Sequence, residues 1–102
     1  MITIRLFCNA GLSTSLLVSK MRQAAQEHGI DADIVAFGVC EATNEIAGAD
    51  VALIGPQVSY RKAEFRKIAD DYDVPLGVIP AIDYGMVNGE KVLDFALSLA
   101  NR

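Results

Sequence analysis

Ile2-Thr3-Ile4-Arg5-Leu6-Phe7, followed by Cys8-Asn9-Ala10-Gly11-Leu12-Ser13-Thr14-Ser15, is the stretch whose reading decides the fold. Its first six residues are rich in β-branched and bulky apolar side chains and predict a strand that ends at Cys8. A short glycine-containing loop follows, and then Ser13, Thr14 and Ser15, three residues that each suit a helix N-cap. From there Leu16, Leu17, Met21, Ala24 and Ala25 recur at helical spacing as far as Gly29, the expected C-terminal stop. A buried strand feeding a helix through a tight loop is the opening of a βα unit.

The alternation continues along the whole chain. Ala32 to Phe37 predicts a second strand, and Glu41 to Ala47 a short helix. Asp50 to Ile54 predicts a third strand, closed by Gly55-Pro56. The next helix carries Val58, Phe65, Ile68, Ala69 and Tyr72 on one face. Val74 to Ile79 predicts a fourth strand, with Pro75 tolerated at its start. A last helix from Gly89 to Ala100 is expected to bury Val92, Leu93, Ala96, Leu97 and Ala100. Strands joined by helical crossovers pair in parallel with right-handed connections. Continuous apolar runs such as Val51 to Ile54 fit strands covered on both faces. The expected fold is α/β: a three-layer sandwich with a four-stranded parallel sheet in the order 2-1-3-4 and helices on both faces.

Bulk properties bound the function. With 102 residues there is room for one core, so residues 1–102 are expected to form a single domain. The formal charge of −4 and the absence of a basic stripe argue against a nucleic-acid partner. The apolar runs are too short to cross a bilayer, so no direct membrane insertion is expected. Met1 to Phe7 lacks the basic and apolar pattern of a secretion signal. Two cysteines, Cys8 and Cys40, with one histidine, His28, make neither a disulfide framework nor a zinc site. A reduced, cytoplasmic setting is the expectation.

Ligands of open α/β sheets bind beyond the carboxyl ends of the strands, at the switch point beside strand one. Cys8 to Ser15, Gly55-Pro56-Gln57 and Pro80 to Gly85 are expected at that edge. Loop amides ahead of a helix, with its positive N-terminal end, form an anion cradle. Such a cradle is expected to lower the thiol pKa of Cys8 and free a nucleophilic thiolate. The same amides can then hold the oxygens of a phosphoryl group carried on that sulfur. The alternative is a cysteine that merely fills space at the end of a strand.

Two other classes compete with a phosphoryl carrier. A cysteine phosphatase needs an arginine six positions after its cysteine to grip the phosphate, and that position is Thr14. Asp83, near the same edge, is available as the general acid such an enzyme also needs. A non-catalytic phosphate- or flavin-binding module of flavodoxin-like shape is the third reading. Tyr84 is the one aromatic suggested for flanking a flavin.

Cys8-Asn-Ala-Gly-Leu-Ser-Thr-Ser-Leu-Leu-Val-Ser-Lys-Met21 closely resembles the phosphocysteine loop and first helix of the lactose/cellobiose-type IIB components of the sugar phosphotransferase system. The resemblance extends to Ile54-Gly-Pro-Gln-Val-Ser-Tyr60 and Tyr84-Gly-Met-Val-Asn-Gly89. It implies that Cys8 accepts phosphate from a phosphohistidine on a IIA partner. Phospho-Cys8 then serves a IIC membrane transporter, where an incoming disaccharide of the cellobiose, chitobiose or lactose kind is phosphorylated. The resemblance implies no cofactor and no metal. Carried onto this chain, the phosphate-binding loop is Asn9, Ala10, Gly11, Leu12, Ser13, Thr14 and Ser15. Pro80 stands where some members carry an acidic residue.

Of the remaining residues, Gln57 is expected beside the exit of strand one, either in a plain turn or touching phosphate or a partner. Tyr60 and Tyr84 either frame a docking rim or cap the sheet edge. Cys40 reads as a semi-buried structural thiol, and His28 as a cation at the end of the first helix. Lys62, Arg66 and Lys67 read as a solvated face. Lys20 and Arg22 read likewise, with an acidic partner as the alternative. No apolar stripe is evident on the surface pattern, so a monomer is the expected state.

Overall fold

The computed structural model of the chain describes residues 1–8 and 12–101, the side chains of Leu12 and Ser13 excepted. Four strands, β1 (Ile2–Cys8), β2 (Ala32–Gly38), β3 (Val51–Ile54) and β4 (Leu76–Val78), form one parallel sheet in the order β2-β1-β3-β4. The helices are α1 (Leu12–Glu27), α2 (Ala42–Glu45), α3 (Lys62–Asp71), α4 (Ala81–Gly85) and α5 (Gly89–Leu99).

Side-chain alternation along β1 sorts the two cores. Ile2, Ile4 and Leu6 point to one face and are buried with Leu17, Val18 and Met21 of α1 and Val92, Leu93 and Ala96 of α5. Phe7 points to the other face, into a cluster with Ile46 at the end of α2 and with Phe65 and Ala69 of α3. Its ring lies 5.8 Å from that of Phe65 and 6.1 Å from that of Phe37, centroid to centroid. Burying each large apolar side chain contributes about 1.5–3 kcal/mol, so both helix layers are held by the central strands. Arg5 is the charged residue of β1. Its guanidinium donates to Asp33 Oδ2 at 2.9 Å and to the Asp33 carbonyl at 3.0 Å, and lies 6.0 Å from the centroid of the Phe37 ring.

The register places Cys8 last on β1, opposite Gly38 of β2. On the other side Phe7 pairs with Ile54, and the Gly55 amide donates to the Phe7 carbonyl at 3.1 Å. Glycines therefore flank Cys8 in both directions across the sheet. α1 ends as expected at Gly29, whose φ is +67°. Ile30 donates to the Ala25 carbonyl and Gly29 to that of Gln26, the paired bonds of a Schellman cap. α3 closes in the same way with Asp73 at φ +54°, through Val74 to Ala69 and Asp73 to Asp70.

Several expectations need correction. α1 begins at Leu12, so Ser13, Thr14 and Ser15 lie in its first turn instead of capping it. β4 spans only Leu76–Val78, since Asp73 is still occupied in closing α3 and Pro75 has no amide to pair. Val58 is buried but sits in a three-ten turn, Pro56–Arg61, ahead of α3. Tyr72 is exposed, and Leu97 and Ala100 are only partly covered. α4 has no counterpart in the sequence pattern; it is one short turn without buried residues, too brief for a periodic signal. Arg22 and Arg66 are not simply solvated: they donate to the carbonyls of Ile34 and Leu76, tying helices to strand backbone. Cys40 is exposed, not semi-buried, because it lies in the three-ten turn Val39–Glu41 that leaves the sheet after β2.

Candidate functional site

Cys8 sits where the central strand meets the carboxyl edge, next to β3, the switch point at which crossovers diverge to opposite faces of the sheet. Its side chain follows the parity of Ile4 and Leu6 and so faces α1 and α5. The residue is 1% exposed, yet it is not sealed in the core. It lines a cavity of about 190 Å³ together with Thr14, Ser15, Gly38 and Glu41.

Three groups hydrogen-bond the sulfur: the Thr14 hydroxyl, the Gly55 backbone and the Tyr84 hydroxyl. Each favours the thiolate, but burial acts in the opposite direction and is the largest influence, so the thiol pKa is raised above its ordinary value. The expectation of a thiolate at rest is therefore overturned. Removing the sulfur from water costs the anion more than the neighbouring donors return.

Around it the hydroxyls form a chain. Thr14 Oγ1 and Tyr84 OH lie 2.8 Å apart and share a hydrogen. Gln57 Nε2 donates to the same Tyr84 oxygen at 3.0 Å. Thr14 comes from the first turn of α1, Gln57 from the turn after β3, and Tyr84 from α4 beyond β4. Three segments widely spaced in sequence thus converge on one sulfur. Gly55 makes that approach possible. A Cβ at that position would stand 2.6 Å from Gln57 Oε1 and 3.0 Å from Cys8 Sγ.

Of the site residues expected from sequence, Cys8, Thr14, Gln57 and Tyr84 come together, and Ser15 joins the cavity wall with its side chain exposed. Asn9, Ala10 and Gly11 lie outside the described residues, as do the side chains of Leu12 and Ser13. Asp83 is the middle residue of α4 and is partly buried. His28 is remote, at the far end of α1, where its Nε2 lies 3.3 Å from Glu90 Oε1. From sequence Gly55 reads as a turn residue; a glycine directly after a buried strand is the signal of close approach. Leu16, Tyr60 and Ile82 are exposed on elements that start from this same edge. Among the described residues no cluster of His, Cys, Asp and Glu is placed to hold a metal ion, and no helix is long and apolar enough to cross a membrane.

The fold and site define a doubly wound α/β domain with a buried thiol, Cys8, at the carboxyl end of its central strand. Residues 3–95 match the family described as "PTS system, Lactose/Cellobiose specific IIB subunit", and the chain belongs to that family. An oligo-beta-mannoside-specific EIIB component of Bacillus subtilis is 47% identical over 96 residues, spanning 94% of this chain and 93% of its own. Galactose-specific and cellobiose-specific EIIB components of Lactococcus lactis, from subspecies cremoris and lactis respectively, are each 48% identical over 103 residues, with 96% and 95% coverage. Among solved structures, the cellobiose-specific phosphotransferase IIB component of Borrelia burgdorferi superposes with a TM-score of 0.82 at 36% identity, covering 98% of this chain and 92% of that one. The lactose-specific IIB domain of Streptococcus pneumoniae superposes at 0.85 with 14% identity and 95% coverage of both, a likeness of fold.

Proposed function

We propose that Cys8 is the phosphoryl carrier of this chain. It takes the group from a phosphohistidine on a IIA partner and passes it to a disaccharide at a IIC transporter. The observation that carries this reading is the thiol itself: it stands at the switch point, opens to a cavity and is met by three hydrogen-bond partners. Family membership supplies the context of sugar phosphotransfer.

The raised thiol pKa fits the chemistry. As the Sγ–P bond forms and the P–N bond of the donor breaks, the leaving imidazole nitrogen needs a proton, and the thiol hydrogen supplies it. Cys–SH and phosphohistidine become phosphocysteine and neutral histidine, with every atom and charge accounted for. On the way to sugar, the S–P bond breaks while an O–P bond forms, and the hydrogen of the sugar hydroxyl returns to sulfur. Phosphoryl transfer asks the protein mainly for positioning and charge stabilisation. α1, 16 residues long and starting four positions after Cys8, directs the positive end of its dipole toward the new dianion. The exposed Leu16, Tyr60 and Ile82 favour docking of both partners at this edge.

The sugar is read as a disaccharide of the cellobiose, chitobiose or lactose kind. Relatives named for oligo-beta-mannoside, galactose and cellobiose are almost equally similar to this chain, which agrees with selection by the transporter. A phosphatase reading loses ground, since Thr14 occupies the place of the gripping arginine and is itself engaged with Tyr84. The test supplies labelled phosphoenolpyruvate, the general phosphotransferase proteins and a cognate IIA. Label is expected on the wild type, as an ester whose acid and base lability marks it as a phosphothiol, and not on Cys8→Ser. Equal labelling of Cys8→Ser overturns the proposal, and rapid release of free phosphate by the wild type moves the reading to a phosphatase.

A further inference from the structure

The space beside the sulfur can be measured through Gly55. A Cβ at that glycine would stand 2.6 Å from Gln57 Oε1 and 3.0 Å from Cys8 Sγ. Laid end to end, those two lengths put the amide oxygen at most 5.6 Å from the sulfur, and the glycine leaves the gap between them clear. An oxygen of a phosphoryl group on Sγ stands two bonds out from the sulfur, and a hydrogen bond to it adds about 2.9 Å. The Gln57 carboxamide therefore reaches such an oxygen from where it already stands. It comes from the turn after β3, on the other side of the β1 exit from β2, whose Gly38 lines the cavity with Thr14 and Ser15.

We propose that Gln57 is a phosphoryl-binding residue: when Cys8 carries phosphate, the Gln57 carboxamide turns over and donates an N–H to a phosphoryl oxygen. This inference rests on Cys8 being the phosphoryl carrier. The carboxamide has two N–H donors at one end and an acceptor oxygen at the other. Without phosphate, Nε2 donates to Tyr84 OH at 3.0 Å, and Oε1 is the end nearest Gly55. An acceptor on that side repels a phosphoryl dianion. Turning the head over exchanges its ends, and the last torsion of a glutamine is broad and roughly two-fold. The side chain is exposed, so it has room to turn. Tyr84 serves both orientations, since a hydroxyl accepts from Nε2 in one and donates to Oε1 in the other. In the second, Thr14 Oγ1, 2.8 Å from the Tyr84 oxygen, is free to donate to it. The bond to Tyr84 is thus kept in reversed sense, and a bond to an ionised oxygen, the stronger kind, is added.

The test follows the isotope-labelled full chain by NMR, before and after phosphorylation with phosphoenolpyruvate, the general phosphotransferase proteins and catalytic amounts of a cognate IIA. The Gln57 side-chain amide pair is identified as the signal missing from Gln57→Leu. On phosphorylation of Cys8 it is expected to move downfield and to exchange its hydrogens with water more slowly. An amide pair that neither moves nor slows overturns the inference. The second readout is the equilibrium ratio of phospho-Cys8 to phospho-IIA. Loss of a hydrogen bond to a charged group is expected to lower it about tenfold in Gln57→Leu. Gln57→Glu should lower it further, because its carboxylate repels the dianion. That variant keeps the shape of the side chain and still accepts from Tyr84, so it separates the two roles. A residue needed only to hold Tyr84 would leave Gln57→Glu at the wild-type ratio, and that result also overturns the inference. Failure of the carrier reading looks different: the wild type then takes no label at all, whereas an idle Gln57 leaves labelling complete and the amide pair in place.

Discussion

Replacing Gly55 with alanine tests the packing on which the site depends. The backbone at Gly55 has φ −67° and ψ 151°, ordinary extended values, so alanine meets no conformational penalty. Restricting the unfolded chain should even contribute about 0.4–1 kcal/mol of stability. The new methyl, however, would stand 2.6 Å from Gln57 Oε1 and 3.0 Å from Cys8 Sγ. The Gln57 amide is exposed and swings aside, losing its bond to Tyr84, worth about 0.5–1.5 kcal/mol. The buried sulfur has less freedom, and overpacking of this kind costs about 1–3 kcal/mol. The balance is a loss of about 1–3 kcal/mol, which lowers Tm by about 5–20 °C in a domain of this size. Gly38→Ala is the matched control. It flanks Cys8 on the other side of the sheet, also with extended backbone, and a Cβ there meets nothing within 4 Å. Circular-dichroism melts of both variants, with iodoacetamide kinetics at Cys8, decide the matter. Gly38→Ala should match or slightly exceed the wild type. A Gly55→Ala variant as stable as Gly38→Ala, with unaltered thiol kinetics, would refute the close approach of Gly55 to the sulfur.

Gly89→Ala should destabilise by about 1–3 kcal/mol in urea titrations, because its Cβ would stand 2.5 Å from the Lys20 carbonyl carbon and 2.6 Å from the Met21 amide. That backbone yields only if α5 moves off α1. Asp73→Gly should stabilise by about 0.5–1 kcal/mol in the same assay, since Asp73 closes α3 at φ +54° where a side chain is strained. The Cys8 thiol gives a pH effect whose sign follows from its raised native pKa. The native state holds the proton more tightly than the unfolded chain, which releases it near pH 8.5. The associated stability is therefore fully present below about pH 8.5 and is lost as pH rises toward the native value. Melts from pH 7 to 10.5 should fall more steeply for the wild type than for Cys8→Ser, and parallel curves would contradict the assignment.

The chain of Ile2 to Gly29 made the first βα unit readable, since strand and helix periodicities are local and Gly29 marks a stop that its positive φ requires. Cys8 stood out for the same reason: a thiol at the end of a buried strand and ahead of a helix is visible from order alone. Gln57 and Tyr84 could be placed at the right edge because a parallel sheet sends the ends of all its strands to one side.

Sequence left other features undetermined. α4 is too short for any period, and β4 is trimmed by a cap and a proline whose effects depend on neighbours. The exposure of Cys40 follows from the path of a turn. The protonation state of Cys8 is the instructive case. The loop and the helix argue for a lowered pKa, and both are legible in the residues. The outcome was set by burial, together with Thr14, Gly55 and Tyr84 arriving from three separate strand ends. Periodicity and order are properties of neighbouring residues along the chain, so the sequence alone determines which elements form and which edge carries the thiol. Solvation is a property of everything that surrounds an atom, so only the tertiary structure decides whether that thiol rests as an acid or an anion.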